Sequence, residues 1–333
     1  MKYPWNCVFH ILFVDMKAIV FVLFAVALGA NLRATEFLNF KKEYGKLYSS
    51  TEEHNYRFAV FNENLEKIAK HNAKNLPWTL GVNQFADISE EEFLHKFCGC
   101  ARDPNVRVRR VTPVFGDVPE AVDWRETGAV TPVKNQASCG SCWAFSTTGT
   151  VEGAYFVHSG ELISLSEQQL VDCATSPKYQ AHGCGGGWPW SVLDYVKDKG
   201  LCTEEDYPYH AKDEDCKDNK CKVVVQTAGR VVLPQRDEQV LKSAVAQQPV
   251  SIVLDASSFH LYKGGIITEC TEQFNHAVLA VGYDTDAETG IKYWIVKNSW
   301  AETWGEKGYV RIERDAGGMG RCALTYSSSY PTF

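Results

Sequence analysis

The chain has 333 residues, of which 45% are hydrophobic and 23% are charged, as in an ordinary globular protein of one large or two moderate domains. Its formal net charge is −7, so no electrostatic affinity for nucleic acid or for an anionic membrane is expected. Low-complexity tracts and repeats of solenoid or propeller period are absent from the sequence.

The first 30 residues are typical of a secretory signal peptide. Met16-Lys17 opens an almost wholly apolar run, Ala18 to Ala30, with small residues near its end. The run is short for a membrane span, and a signal anchor is the alternative. Met16 is the expected start, with residues 1–15 outside the translated protein. Export predicts a lysosomal, vacuolar or extracellular location, where the 12 cysteines can form disulfides.

Residues 31–95 are strongly charged and predicted to be helical. Their apolar residues at helical spacing are Tyr56, Val60, Phe61, Leu65 and Ile68, which predicts one apolar face on a long amphipathic helix. Residues 98–117 contain Pro and Gly without periodicity, which indicates an exposed linker that is easily cut. The basic residues of this linker, Arg107, Arg109 and Arg110, are interpreted as a solvated charge run.

From Val118 onward the pattern changes from helical to β. The predicted helices are Cys142–His158, Ser166–Cys173 and a segment near Ser191–Lys199. The predicted strands are Pro249–Asp255, His276–Tyr283, Lys292–Lys297 and Gly308–Glu313, which are rich in Val, Ile, Tyr and Trp. A helical half followed by a β half predicts an α+β fold of two packed subdomains with a cleft between them.

Nine cysteines follow Val118: Cys139, Cys142, Cys173, Cys184, Cys202, Cys216, Cys221, Cys270 and Cys322. Nine is odd, and setting Cys142 aside leaves an even set of eight for disulfides. A zinc site would need a second Cys/His pair at matching spacing, and Cys216–Cys221 with His210 does not repeat the Cys139–Cys142 spacing. A redox dithiol would need a βαβ context, which the sequence before Cys142 lacks.

Cys142 is instead interpreted as a nucleophile. A thiol attacks as the thiolate, which a helix N-terminus and a neighbouring imidazolium stabilise. His276 at the mouth of a predicted strand is the candidate partner, and Asn298 after another strand can orient the imidazole. Gln136 can donate a side-chain N–H to a developing oxyanion.

These residues carry a resemblance to a known family. Cys139-Gly-Ser-Cys-Trp143, followed by His276 and Asn298, resembles the signature of papain-like cysteine proteases of the cathepsin L type. Two propeptide motifs agree with it. Glu53, Arg57, Phe61, Asn64, Ile68 and Asn72 match the ERFNIN spacing, and Gly81, Asn83, Phe85 and Asp87 match the GNFD motif. Val118-Pro-Glu resembles a mature N-terminus of this family.

The resemblance implies a papain-like fold, in which a helical left subdomain and an antiparallel β-barrel right subdomain follow a helical prodomain. It divides the chain into a signal peptide (1–30), an inhibitory propeptide (31–117) and a peptidase domain (118–333). It implies that Cys142 is the nucleophile, His276 the general acid/base, Asn298 the orienting residue and Gln136 an oxyanion-hole donor. Trp300 would shield the Asn298–His276 hydrogen bond from water.

By the same resemblance, Gly186 and Gly187 would let an extended substrate pair with the backbone. The pocket for the second residue before the scissile bond would be lined by Trp188, Pro189, Val253, Ala277 and Ser327. This apolar lining with a small neutral base predicts a preference for bulky hydrophobic residues. Two positions depart from the family: Ala137 replaces the usual Gly, and Gly185 stands where Asn is common.

The family's disulfides map onto Cys139–Cys184, Cys173–Cys216 and Cys270–Cys322, and Cys202 and Cys221 are expected to form an extra bridge. Cys98 and Cys100 are interpreted as incidental, or paired with each other or with Cys7. A sharper alternative is that one of them bridges to Cys202 or Cys221 and tethers a propeptide remnant near the cleft.

The sequence therefore predicts a cysteine endopeptidase made as a zymogen and activated by propeptide removal at acidic pH. The acidic surplus in residues 118–333 favours an acidic compartment weakly. The expected partners are protein and peptide substrates, its own propeptide and cystatin-like inhibitors, with no nucleic acid, no stable membrane insertion, no metal and no cofactor. A monomer is expected. A protease inhibitor and a catalytically dead scaffold are the alternatives, and the intact Cys142 and His276 argue against both.

Overall fold

The structure is a computed structural model that describes residues 31–99, 109–113 and 118–333. The predicted signal peptide, Met16, Cys7, Cys100, Arg107 and most of the predicted linker lie outside these residues. Among the helices described, none combines the length and the apolar composition needed to cross a bilayer.

The described residues form two compact parts, one ending at Asn62 and the other beginning at Glu63. In the first part, residues 31–43 are helical and are followed by the start of helix α1 (Thr51–Asn72). Phe37 is buried, and its ring lies 5.2 Å from the rings of both Phe58 and Phe61. The prediction that Tyr56 belongs to the apolar face is wrong, because its side chain is 51% exposed. Periodicity cannot tell which side of α1 the ring of Phe37 will cover.

The second part begins within α1 and continues through strand β1 (Trp78–Leu80) and helix α2 (Glu90–Phe97). Two asparagines of α1 fasten these segments. The Nδ2 of Asn64 donates to the carbonyls of Ala86 and Ile88, each at 2.9 Å, and Asn72 exchanges hydrogen bonds with the backbone of Leu80. Asn64 is buried with its donors satisfied, which holds a chain in one conformation, whereas Asn72 is exposed. Both ERFNIN asparagines tie α1 to the backbone that follows it.

The strands after β1 are β2 (Val122–Asp123), β3 (Gly229–Val232), β4 (Val250–Leu254), β5 (Tyr262–Ile267), β6 (His276–Thr285), β7 (Lys292–Lys297), β8 (Tyr309–Glu313) and β9 (Ser327–Thr332). The sheet order is β1-β5-β8-β7-β6-β4-β9-β3, with β2 paired to β6. All pairings are antiparallel except that of β5 with β8. Strand β1 of the propeptide thus extends the sheet of the peptidase segment.

The helices after α2 are α3 (Trp124–Thr127), α4 (Cys142–Ser159), α5 (Glu167–Cys173), α6 (Pro189–Lys199) and α7 (Glu238–Val245). The helices and strands predicted after Val118 are present, with ends shifted by one or two residues. Ser166, for example, is the N-cap of α5, where its side chain accepts a hydrogen bond from the backbone N–H of Gln169. The prediction that residues 31–95 are helical is wrong at Trp78–Leu80, which form β1. The other elements that were not predicted are β2, β3, β5, β9, α3 and α7, because their apolar patterns are short or irregular.

The helical and β halves meet along α4. Ser146 of α4 donates to the carbonyl of Val278 in β6 at 2.7 Å, and its hydroxyl lies 2.6 Å from that of Ser251 in β4. Cys142 at the start of α4 is completely buried. The first residue of this long helix, Cys142, lies against the start of the interior strand β6.

Four disulfides brace this part of the chain, with the expected pairing: Cys139–Cys184, Cys173–Cys216, Cys202–Cys221 and Cys270–Cys322. Because Cys202 and Cys221 bind each other, the alternative in which one of them tethers the propeptide is wrong. Within the described residues Cys98 forms no disulfide, and its suggested partners Cys7 and Cys100 lie outside them.

Candidate active site

Cys142 is the first residue of α4, where backbone N–H groups favour a negative charge. The preceding turn is held from two sides. The disulfide Cys139–Cys184 anchors its start, and the hydroxyl of Ser141 lies 2.6 Å from that of Tyr209. Because both ends of the turn are fixed, the direction of the Cys142 side chain is fixed as well.

The thiol of Cys142 faces strand β6 of the other half. Its Sγ lies 3.5 Å from the backbone N of Ala277, the residue after His276. The Nε2 of His276 lies 2.9 Å from the Oδ1 of Asn298, and its ring stacks on Trp300 at 4.5 Å with 24° between the planes. The side chains of Cys142, His276, Asn298 and Trp300 are all buried. The indole of Trp300 therefore covers the His276–Asn298 pair, which strengthens a hydrogen bond by lowering the local dielectric.

Asn298 is oriented so that its oxygen serves as the acceptor. Its Oδ1 also accepts from the backbone N–H of Ser299 at 2.8 Å, which assigns the donor role to Nε2 of His276. The Nδ1 of His276 is buried and has no hydrogen-bond partner among the described residues. A histidine tethered at one ring nitrogen can exchange a proton at the other.

The side-chain amide of Gln136 is held by hydrogen bonds at both its oxygen and its nitrogen. Its Oε1 accepts from the hydroxyl of Ser299 at 2.7 Å, while its Nε2 donates to the carbonyl of Cys139 at 2.9 Å and to that of Phe97 at 3.1 Å. The Nε2–H of Gln136 therefore points into the cleft, where it binds the carbonyl oxygen of Phe97.

A segment of the predicted propeptide, Phe97–Gly99, lies across the cleft and is here called the blocking segment. The backbone N of Gly99 is 3.4 Å from the Sγ of Cys142, and its carbonyl accepts from the N–H of Gly187 at 3.0 Å. A Cβ at Gly99 would stand 1.9 Å from the carbonyl oxygen of Gly140. The blocking segment therefore covers the thiol directly, at a distance that only glycine allows.

The GNFD residues anchor the propeptide a short distance away. The N–H of Gly81 donates to the carbonyl of Leu261, and the Nδ2 of Asn83 donates to that of His260, both at 2.9 Å. The Nε2 of His260 lies 3.0 Å from the carbonyl oxygen of Phe85, whose ring meets Trp300 edge-on at 5.4 Å. Burial lowers the pKa of His260 to about 4. Asp87, the last residue of the motif, is buried too.

The residues predicted to line the substrate pocket come from three neighbouring strands and from α6. Val253 of β4 pairs with Ala277 of β6 on one side and with Ser327 of β9 on the other. Trp188 packs in the same core cluster as Val253, and Pro189 is the first residue of α6. The structure adds an aromatic pair that sequence reasoning missed: the rings of Phe274 and Tyr326 stack 3.7 Å apart, next to Trp188. Phe274 lies two residues before His276, a position that could have drawn attention to it.

Gly187 contributes its backbone N–H to the cleft, as described above, and cannot be replaced by a larger residue. A Cβ there would lie 2.8 Å from the indole of Trp143 and 2.9 Å from the Cβ of Ala181. Gly186 has a φ of 112°, which favours glycine. A Cβ at Gly185 would meet only the Cβ of His182 at 3.6 Å, an ordinary contact, so this position does not require glycine for steric reasons at Cβ.

Ala137 occupies a left-handed backbone conformation, with a φ of 50°. Its N–H is held by the Oδ1 of Asn135 at 2.9 Å. An alanine pays about 1–2 kcal/mol for this conformation, which glycine adopts without strain. The glycine usual in the family thus has a conformational reason, and this chain tolerates the strain.

Sequence reasoning also missed a buried group of charges behind the cleft. Lys134 donates to Glu152 at 2.9 Å and to Glu167 at 2.7 Å, and all three line a cavity of about 20 Å³ that Asn298 and Ser299 border. Burial raises the pKa of Glu167, and the charge of Glu152 adds to the effect. Burial lowers the pKa of Lys297, which borders the same cavity, to about 8.

A thiol at a helix N-terminus beside a histidine held by an asparagine is the arrangement of a cysteine peptidase, and the blocking segment makes this chain a precursor form. The chain belongs to the papain family of cysteine proteases. The family model described as papain family cysteine protease matches residues 118–332. A second model, described as cathepsin propeptide inhibitor domain, matches residues 37–93.

Similar proteins span nearly the whole chain. Cathepsin L of Sarcophaga peregrina is 44% identical over 322 residues, covering 91% of this chain and 94% of that protein. Thiol protease aleurain of Arabidopsis thaliana is 44% identical and covers 91% of this chain and 86% of that protein. Among solved structures, digestive procathepsin L 3 of the Tenebrio molitor larval midgut has a TM-score of 0.81 and 40% identity, covering 91% of this chain and 99% of that chain. A recombinant stem bromelain precursor has a TM-score of 0.83 and 38% identity, covering 90% of this chain and 99% of that chain.

Proposed function

We propose that this chain is the inactive precursor of a cysteine endopeptidase in which Cys142 is the nucleophile and His276 the general acid/base. The observation that carries the proposal is the close approach of the helical half, at Cys142, to the β half, at the start of β6. The Sγ of Cys142 on α4 approaches the start of β6, where His276 is held by Asn298 under the indole of Trp300. A nucleophile, a base and an orienting group within reach of one another are what covalent peptide hydrolysis requires.

The reaction begins when the Cys142 thiolate attacks the scissile carbonyl carbon, forming a C–S bond and an oxyanion. Gln136 donates its Nε2–H to that oxygen, as it donates here to the carbonyl of Phe97. Protonated His276 gives its Nδ1 proton to the leaving amine as the C–N bond breaks, which leaves a thioester. The now neutral His276 takes a proton from water, which attacks the thioester and releases the acid and the thiolate.

The substrate is an extended peptide that takes the place of the blocking segment. The hydrogen bond from Gly187 to the carbonyl of Gly99 is the type of backbone contact that such a peptide would make. For the pocket lined by Trp188, Pro189, Val253, Ala277 and Ser327 we infer a preference for bulky hydrophobic residues. The aromatic rings of Phe274 and Tyr326 beside it favour apolar side chains.

Activation requires that the propeptide leave the cleft, by cleavage between the blocking segment and Val118. Val122 and Asp123 form strand β2 against β6, so they belong to the mature sheet and the cut falls before them. We infer that acid promotes this step, because the buried His260 at the GNFD anchor resists protonation only while it is covered. We further propose that residues 1–30 are a signal peptide and that the enzyme is a monomer, either secreted or lysosomal/vacuolar. Cystatin-like proteins are its proposed inhibitors.

The test is acid activation of the purified precursor, followed by hydrolysis of fluorogenic dipeptides with Leu, Phe or Arg at the position before a terminal Arg. We expect activity that the epoxide E-64 abolishes, that Cys142→Ala lacks, and that is higher with Leu or Phe than with Arg. Absence of E-64-sensitive activity would sink the assignment of Cys142. A preference for Arg over both apolar residues would overturn the pocket assignment alone.

A further inference from the structure

Outside the groups already assigned, one buried carboxylate near the cleft accepts an unusual number of hydrogen bonds. Asp255 follows β4 directly and is 0% exposed. Its Oδ1 accepts from the backbone N–H of Ser257 at 2.9 Å, from the hydroxyl of Ser257 at 2.6 Å and from the Nδ2 of Asn275 at 3.3 Å. Its Oδ2 accepts from the hydroxyl of Thr271 and from the backbone N–H of Gln273, the latter at 2.8 Å.

Three of these five donors belong to residues 271–275, here called the histidine loop because it ends where His276 begins. The loop receives two more bonds from the same place. The N–H of Asn275 donates to the carbonyl of Leu254, and its Oδ1 accepts from the N–H of Ala256, both at 2.9 Å. The residues on either side of Asp255 therefore bind Asn275, the last residue before His276, while Asp255 itself binds Thr271, Gln273 and Asn275.

Asp255 is itself fixed in place. Its own N–H donates to the carbonyl of Cys322 at 2.8 Å, and Cys322 is bonded to Cys270, the residue before the histidine loop. In addition, Leu254 is paired with His276 across β4 and β6. The end of β4, the Cys270–Cys322 disulfide and the Asp255 carboxylate thus all hold the histidine loop. Catalysis needs reacting groups held close to the productive distance and angle, and supporting groups of this kind do so.

We propose that Asp255 is a positioning residue for His276, acting by fastening the histidine loop to the end of β4. This inference rests on the proposed function, since it assigns no chemistry of its own to Asp255. It goes beyond that function by naming the group that sets where the imidazole stands relative to Cys142. A small displacement of a reacting group is enough to lower the rate strongly, even when the altered residue lies away from the reacting atoms.

The carboxylate cannot be replaced by an amide of the same shape. Each oxygen of Asp255 receives at least two donors, so an asparagine would turn an N–H group toward donors in either orientation. Buried donors left without an acceptor are costly, and the loop would move to satisfy them. Asp255→Asn is therefore the informative substitution, and Thr271→Val removes a single bond as a milder version.

The chain offers a matched control in Asp286, which accepts from the N–H and the hydroxyl of Thr289 at 2.9 and 2.7 Å in the exposed turn between β6 and β7. Asp286→Asn and Thr289→Val remove the same chemistry at a distance from the cleft. Each full-length precursor is activated with acid, its competent sites are titrated with E-64, and kcat and KM are measured per titrated site. The rate of Cys142 alkylation is followed from pH 3 to pH 9.

We expect Asp255→Asn to lower kcat at least about 10-fold with KM changed less than about 3-fold, because Phe274 is the one loop residue beside the substrate pocket and the residues that line the pocket lie outside the loop. The acid limb of the pH dependence of its Cys142 alkylation rate should also shift to higher pH, because a displaced imidazolium stabilises the thiolate less. Thr271→Val should show smaller changes in the same direction, and both controls should match the wild type.

Wild-type values of kcat and of the alkylation profile in both Asp255→Asn and Thr271→Val would overturn the inference while leaving the proposed function intact. Fewer competent sites with unchanged turnover per site would overturn it too, since that marks a purely structural role. If Asp255→Asn does not fold, Thr271→Val decides between these results. A wild-type enzyme without E-64-sensitive turnover overturns the proposed function and the inference together.

Discussion

The backbone N–H of Gly99 points at the sulfur of Cys142 across 3.4 Å, so the propeptide blocks the thiol with backbone rather than with a side chain. The close approach depends on the absence of a Cβ, which would collide with the carbonyl of Gly140. Blocking of the thiol therefore depends on glycine at position 99, and any side chain there is expected to weaken the inhibition.

Gly99→Ala is expected to make the precursor leaky. The added methyl would need the backbone of Gly140 to move, and overpacking of this kind costs about 1–3 kcal/mol. We expect E-64 to label the intact precursor at neutral pH about 5- to 160-fold faster than the wild type, measured by intact mass. Gly45→Asn is the control, because nothing lies within 4 Å of a Cβ at Gly45 and asparagine tolerates its φ of 61°. Equal labelling of the Gly99→Ala and wild-type precursors would contradict the steric argument.

His260→Gln is expected to weaken the effect of acid on propeptide release. The pKa of His260 is held at about 4 by burial, with Lys67 lowering it further and Asp87 opposing, and it should rise toward 6.5 once Phe85 and Phe93 depart. The released state therefore takes up a proton between pH 6.5 and 4, so the bound state loses stability as the pH falls through that window.

Glutamine retains a donor for the carbonyl of Phe85 but cannot titrate. We expect the E-64 labelling rate of the wild-type precursor to rise more steeply between pH 6.5 and 4 than that of His260→Gln. The exposed His158 serves as the control position, where His158→Gln should keep the wild-type slope. Parallel profiles for wild type and His260→Gln would rule out this histidine as a source of the acid response.

Glu167→Gln is expected to stabilise the activated enzyme at pH 8 relative to pH 4.5. Burial raises the pKa of Glu167 above its unfolded value near 4.5, so its contribution to stability is present below that pH and is lost as the pH rises. Glutamine can still accept from Lys134 and Thr148 but does not ionise. The difference in Tm between Glu167→Gln and wild type, both inhibited with E-64, should therefore increase from pH 4.5 to pH 8. A difference that is constant with pH, as expected for the exposed Glu161→Gln, would refute the role of burial.

Ala137→Gly is expected to raise the free energy of unfolding by about 0.5–1 kcal/mol. Glycine relieves the strain of the left-handed conformation, and part of that gain is offset by its greater freedom in the unfolded chain. Denaturant unfolding of the E-64-inhibited enzyme measures the change. Ala154→Gly, within helix α4, should instead destabilise by about 1 kcal/mol. A loss of stability in Ala137→Gly would show that the strain at this position is relieved by other contacts.

Much of the site could be predicted because its chemistry needs particular residue types in recognisable local patterns. Cys142 follows a turn and begins a helix, His276 opens a strand and Asn298 follows one, and the structure brings all three to one place. The odd cysteine count favoured a free, nucleophilic Cys142, and the lack of a second Cys/His pair at matching spacing argued against a zinc site, both from the sequence alone. Tyr56 shows the limit of such reasoning, since helical spacing marks a face without telling what will cover it.

The sequence by itself determined the kind of site, because residue chemistry and short-range spacing are written along the chain. Only the tertiary structure decided which neighbours surround those residues. The five donors on Asp255, the cover that lowers the pKa of His260 and the carbonyl of Gly140 that excludes a side chain at Gly99 are all brought there by folding. Burial and hydrogen bonding depend on atoms far apart in sequence, and for that reason a local pattern does not contain them.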